Sequence, residues 1–282
     1  MKEILSGTIE AVIEDDSWES YESRVGLRPS TIKKRQRSAM DAKDAYDNRR
    51  PPTSAMEFGT LCHCLLLEGE TFDDRYAIYD GVKKGKKYEA FRDEHPGKTL
   101  VKTKDAKNAT TLAMETVKKP FVNKLLSECI PEVTLLAVEG GVQCKTRIDA
   151  VSTVDGKGVL LDAKFTNDVS SRKFGMSSCG FGYHIDMGCR KKWFERATGK
   201  KIEEVYLIAA QTTGVPDVVC YRMDETLLDH GFDLACELIE QIKEDIAKDL
   251  FPGVDGGNES LDIEWPVWGM PDDIALDWED AT

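Results

Sequence analysis

Asp162, Ala163 and Lys164 lie in VLLDAKF, a run rich in apolar residues, and Asp149 lies shortly before it in VQCKTRIDAV. Side chains two apart on a strand share a face. Asp162 and Lys164 therefore project together while Leu161 and Ala163 point the other way, and Gln143, Lys145, Arg147 and Asp149 share one face of the preceding strand. A hairpin folded at Asp155–Gly156 brings Asp149 close to Asp162 and Lys164. Two carboxylates and an ammonium at one sheet edge suit phosphodiester hydrolysis. Carboxylate oxygens are hard ligands for Mg²⁺ or Mn²⁺, and the ion acidifies a bound water and polarises the phosphoryl oxygen. A neighbouring lysine orients the water or stabilises the charge that develops. Taken alone, a D-x-K triplet is more often a salt-bridged pair on an exposed strand, so the surrounding chain has to decide.

The elements that must position these groups can be read outward from them. Residues 133–139, 142–151 and 158–165 predict three strands of an antiparallel meander, turned at Gly140–Gly141 and Asp155–Gly156. Residues 29–48 predict a helix capped by Ser30, and Pro51–Pro52 precedes a second at roughly 56–68. Residues 80–100, with KKGKK at 83–87, read as an exposed loop or lid, and 104–129 return to a helical pattern. After the meander come a helix at 183–198 closed by Gly199, strands at about 204–211 and 217–223, and a long helix at 224–250. This order predicts an α/β layer around a central sheet.

Several stretches together resemble the RecE-like exodeoxyribonucleases, the exodeoxyribonuclease VIII type of the PD-(D/E)XK nuclease superfamily. They are MEFGTLCHCLLLE at 56–68 with the following TFDDRYAIYD, then PEVTLLAVEGGVQCKTRIDAV, VLLDAKFT, GYHIDMGCRKKWFERATG, and FPGV with IEWPVWG. The resemblance spans roughly residues 28–269 and rests on the order of motifs that are individually weak. It implies a PD-(D/E)XK nuclease core: a central mixed sheet with an antiparallel meander, flanked by helices. It further implies that His63, Asp149, Asp162 and Lys164 form the catalytic set, with Asp149, Asp162 and His63 on the metal and Lys164 as the base directing water or the transition state. Glu132 would be an accessory carboxylate. His63 is otherwise a packed helix histidine among leucines, and Glu132 a surface residue where a helix gives way to a strand. Relatives carry Gln and, four residues later, Tyr on the helix after the D-x-K strand, where this chain has Asp186 and Arg190. An Asp–Arg pair at that spacing can simply brace a helix. The alternative is a basic DNA-facing helix of Arg190, Lys191 and Lys192 beside Trp193, with Arg147 as a further DNA contact. Lys33, Lys34, Arg35 and Arg37, and the lysines of 83–87, are other cations that could hold a duplex.

The formal charge of −13 is unevenly spread: residues 223–282 carry 18 acidic and 2 basic groups, leaving 36 basic against 33 acidic in the first 222. A basic groove is therefore compatible with the composition. The division expected is an N-terminal extension at 1–27, the nuclease domain at 28–254 and an acidic segment at 255–282. Eight scattered cysteines, of which only Cys62 and Cys64 are close, match neither a zinc knuckle nor an iron–sulfur group and read as reduced thiols. No apolar run approaches the roughly 20 residues of a membrane span, and the opening residues lack a secretory pattern, so a cytoplasmic protein is expected. The resemblance implies digestion of double-stranded DNA ends from 5′ to 3′, leaving 3′ single strands for phage or prophage recombination. It also implies Mg²⁺ (or Mn²⁺), a ring-shaped homo-oligomer and a single-strand annealing protein as partner. The alternatives are an endonuclease or single-strand nuclease of the same superfamily, and an inactive scaffold that binds DNA ends or a recombination partner.

Overall fold

Consecutive residues are buried along the three strands of the meander, as happens where a sheet is covered on both faces. The computed structural model describes residues 1–48 and 50–263. In chain order the elements are β1 (Ala11–Ile13), α1 (Trp18–Ser23), α2 (Pro29–Ile32), α3 (Ala39–Asp47), α4 (Ser54–Leu67), α5 (Phe72–Arg75), β2 (Tyr76–Tyr79), α6 (Lys86–Glu94) and β3 (Thr99–Lys102). Then follow α7 (Thr103–Val117), α8 (Pro120–Leu126), β4 (Ile130–Glu139), β5 (Val142–Val154), β6 (Lys157–Thr166), α9 (Ser171–Gly180), α10 (Tyr183–Thr198), β7 (Glu204–Gln211), β8 (Val218–Arg222) and α11 (Glu225–Lys248).

Six strands form one sheet in the order β1-β4-β5-β6-β7-β8. Every neighbouring pair is antiparallel except β6 and β7, which run parallel because α9 and α10 carry the chain back across the sheet. The fold is thus a mixed sheet with an antiparallel meander between helical layers. On one face the buried side chains Ile185, Cys189 and Trp193 of α10 and Leu228, Leu238 and Ile242 of α11 pack with Leu160, Val205 and Leu207. On the other, Leu61 and Cys64 of α4 and Ala109 and Leu112 of α7 pack with Ile208 and Ala210. The helices α10 and α11 approach closely because Gly188 and Gly231 face each other's backbones. A Cβ at Gly231 would strike the His184 carbonyl, and one at Gly188 the Leu228 carbonyl.

The helix expected over 29–48 is three pieces. It starts at Pro29 after Arg28 rather than under a Ser30 cap, passes through a 3₁₀ turn at Lys33–Gln36, and restarts at Ala39, where the Ser38 hydroxyl accepts the Asp41 N–H. Residues 80–100 are not simply loop. They contain α6, and β3 pairs in parallel with β2 as a separate two-stranded sheet. Residues 1–27 contribute directly to the domain: β1 extends the main sheet, and Ile4 and Leu27 are fully buried in its core. The IEWPVWG stretch lies, beyond Ile263, outside the described residues. Among the described residues all eight cysteines are free thiols, and no helix is long and apolar enough to cross a membrane.

Candidate active site

The hairpin ladder between β5 and β6 runs from Val154–Lys157 to Ala150–Leu161 and then opens. At the opening stand Asp149 and Asp162, which the register would otherwise place opposite each other. Asp149 closes part of the gap itself, since the Ala163 N–H donates to its Oδ2 (2.9 Å). The β5 alternation also breaks here. Ile148 and Ala150 would share a face of a regular strand, yet they pack into different core clusters. Beside them Glu132 on β4 takes a left-handed φ of 52°, a costly conformation for a residue with a Cβ. The parted strands form a cleft that helices from both faces can reach.

From one face, α4 brings His63, whose Nδ1 lies 3.5 Å from Asp149 Oδ2 and whose ring meets Phe165 edge-on at 5.2 Å. From the other, α10 brings Arg190. Its Nη1 is bonded to Asp162 Oδ1 and lies 3.8 Å from Asp149 Oδ1, while Nε donates to the Thr146 hydroxyl (3.3 Å). Lys164 ion-pairs with Asp162 Oδ2, and its ammonium stands 4.8 Å above the Tyr183 ring. His63, Asp149, Asp162 and Lys164 are therefore brought together.

Electrostatics follow from burial. Asp162 is fully buried, which alone would favour its neutral acid, but Lys164 and Arg190 outweigh that and hold its pKa below the usual carboxylate range. Burial opposes the charge on Lys164, yet Asp162 and Asp149 prevail and raise its pKa, so it stands here as an ammonium. Glu132 is raised, first by burial and then by the charge of Asp149, with Arg147 and His63 pulling the other way. It accepts a 2.6 Å bond from Arg147 Nε, so its carboxylate is engaged beside the cleft.

The donor set suits a divalent ion in kind: two hard carboxylates and an imidazole. Asp162 Oδ2 is buried, with the Lys164 ammonium against it. Asp149, Asp162 and His63 are the residues that would hold the ion. Among the described residues no three such groups are gathered around one point, and the Arg190 guanidinium reaches both carboxylates.

The basic groups expected to face DNA from α10 all have partners within the protein. Lys191 is buried and donates to Glu225 (2.6 Å), Lys192 pairs with Asp229 (2.6 Å), and Trp193 is sealed in the core with Nε1 on Glu139 (3.0 Å). Asp186 pairs with Lys33 (2.6 Å), not with Arg190 one turn along. These partners come from α11, β4 and the N-terminal region, which no spacing within α10 could show. Tyr183, Thr146 and Phe165 are site neighbours that the sequence reading missed, for lack of any local signal. Trp18 was also missed. It is about half exposed, with the Arg147 guanidinium 6.0 Å from its ring, and so stands at the Glu132 rim of the cleft.

Comparison with known families supplies the context for this arrangement. Residues 29–262 match the PDDEXK-like domain of unknown function (DUF3799). The chain belongs to this family. A crystal structure from Eubacterium rectale, described as a "Putative exonuclease", is similar with a TM-score of 0.63 at 13% identity, covering 90% of this chain and 97% of that one. The solved structure of SSO0001 overlaps at a TM-score of 0.28 and 14% identity, over 67% of this chain and 87% of that one. No curated protein matches the sequence. The PDDEXK-like assignment and this site together support a nuclease.

Proposed function

We propose that the protein is a divalent-metal-dependent exodeoxyribonuclease that degrades duplex DNA from its ends, 5′ to 3′, leaving 3′ single strands. The observation that carries this reading is the convergence of Asp149, Asp162 and Lys164 where β5 and β6 part. When bound, the ion would supply an acidified water and a polarised phosphoryl oxygen. Asp149 and Asp162 would hold it, His63 would approach it from α4, and the Lys164 ammonium would face the charge developing on phosphorus. Exonuclease polarity, a ring assembly and a single-strand annealing partner in recombination come to this proposal from the RecE-like motifs. Mg²⁺ is the expected ion, with Mn²⁺ as a substitute, and the cytoplasm the expected setting.

The test is digestion of a long linear duplex labelled separately at its 5′ and 3′ ends, with Mg²⁺, beside Asp162→Ala and Lys164→Ala. Early release of the 5′ label, slowed at least about a thousandfold in both variants, is expected. Rapid loss of closed circular duplex would sink the exonuclease assignment in favour of an endonuclease. One observation favours a second reading, a DNA-end-binding scaffold without activity: the Arg190 guanidinium reaches both carboxylates. End binding without cleavage in either Mg²⁺ or Mn²⁺ would establish it.

A further inference from the structure

Arg190 departs from the Gln–Tyr pattern of the relatives this chain resembles, and its position is unusual on physical grounds. Its Nη1 touches Asp162 Oδ1 and stands 3.8 Å from Asp149 Oδ1. Asp149 and Asp162 would hold a divalent ion through these same carboxylates, and the guanidinium already engages both. A second cation at those oxygens must compete with it. Charge leads to the same conclusion. Asp149, Asp162, Lys164 and Arg190 sum to neutrality in a cleft where Asp162 is fully buried. A divalent ion added to that set leaves two uncompensated positive charges at low dielectric, and expelling the guanidinium relieves one of them.

We propose that Arg190 is a resident counter-ion of the metal site, which a divalent cation must displace in order to bind. This rests on the metal-dependent reading above and deepens it. The arrangement has an exit. The Arg190 side chain is 14% exposed, and its other contacts, the Thr146 hydroxyl and Met187 Sδ (3.5 Å), are weak tethers. Without the metal, Arg190 neutralises two carboxylates that would otherwise repel each other across the parted strands. Once displaced, it remains attached to α10 beside the ion, where its planar fork matches a phosphodiester.

The experiment is calorimetric titration of Mn²⁺ into the full chain and into Arg190→Gln, with melting measured in chelator and in Mn²⁺. Removing the competitor should tighten Mn²⁺ binding at least about tenfold. It should also lower the melting temperature in chelator and enlarge the rise that Mn²⁺ produces. Equal or weaker Mn²⁺ binding by Arg190→Gln would overturn displacement while leaving the metal site standing. Absence of Mn²⁺ binding in both proteins would instead remove the metal-dependent reading, and the proposal with it. Should Arg190→Gln fail to fold, the native chain serves: phenylglyoxal should modify Arg190 faster in Mn²⁺ than in chelator, as mapped by mass spectrometry, and an unchanged rate would refute the displacement.

Discussion

Two ammonium groups, one buried and one half-buried, stand on adjacent strands of the same sheet, each above a tyrosine ring, in opposite circumstances. Lys145 on β5 donates to the backbone carbonyls of Tyr21 (2.9 Å), Glu22 (3.1 Å) and Arg24, 4.9 Å from the Tyr21 ring. Lys164 on β6 faces the carboxylate of Asp162, with Asp149 and a second cation close by. The carbonyls around Lys145 are neutral and fixed at the C-terminal end of α1, so the ammonium pins the N-terminal segment to the sheet. Around Lys164 the partners are themselves charged, and their balance changes whenever an ion or a phosphate enters. The first arrangement is a fastener. The second can be recomposed by a ligand, as the proposed metal binding requires.

The sharpest way to break this comparison is to substitute both lysines alike. Lys164→Met should slow cleavage about a thousandfold, equivalent to about 4 kcal/mol of transition-state stabilisation, with a smaller loss of denaturant midpoint than Lys145→Met because Arg190 still pairs with Asp162. Lys145→Met should do the reverse. Stranding three carbonyls in the interior costs about 3 kcal/mol of stability, while calorimetry should find Mn²⁺ binding intact. Equal losses of stability in the two variants would erase the distinction.

The N-terminal fastening also has a pH signature. Asp16 is buried and bonded to Arg24 (3.1 Å), and that bond, against the cost of burial, lowers its pKa to about 2 from 3.8. A carboxylate whose pKa falls on folding contributes stability that is complete above 3.8 and lost as pH drops through about 2. The contribution is about 2 kcal/mol. Urea denaturation should therefore separate wild type from Asp16→Asn by roughly that amount at about pH 5, with the gap closing as the solution is acidified. A constant gap would mean that Asp16 acts through shape rather than charge. The smallest effect concerns His63, which stands 3.5 Å from Asp149 at the edge of the cluster. His63→Ala should weaken Mn²⁺ binding by about tenfold, or about 1.4 kcal/mol, without shifting the chelator melting temperature. An unchanged affinity would remove the imidazole from the metal's ligands.

Much of the positioning scaffold was legible in local chemistry. The turns at Gly140–Gly141 and Asp155–Gly156 set the hairpin registers, and the helix at 183–198 and the strand at 204–211 have the bounds their patterns predict. Other elements were not legible, because their stability is not local. The three residues of β1 gain their hydrogen bonds from β4, more than a hundred positions away, and β3 in the lysine-rich stretch gains its own from β2. The helix from Pro29 breaks where Lys33 reaches Asp186 and Arg35 reaches Asp245. The partners of the α10 lysines were hidden for the same reason: they are carboxylates of α11.

The amino-acid sequence by itself determined that Asp162 and Lys164 project together and that a tight turn returns Asp149 towards them. Strand alternation and hairpin geometry act over a few residues and need no other part of the chain. Tertiary structure alone decided which cations meet those carboxylates. Arg190 arrives on a helix whose closeness depends on Gly188 and Gly231, while Lys191 and Lys192, its immediate neighbours, are turned away to Glu225 and Asp229. Adjacent residues on a helix point about 100° apart, so the docking of α10 against sheet and α11 selects which one enters the cleft.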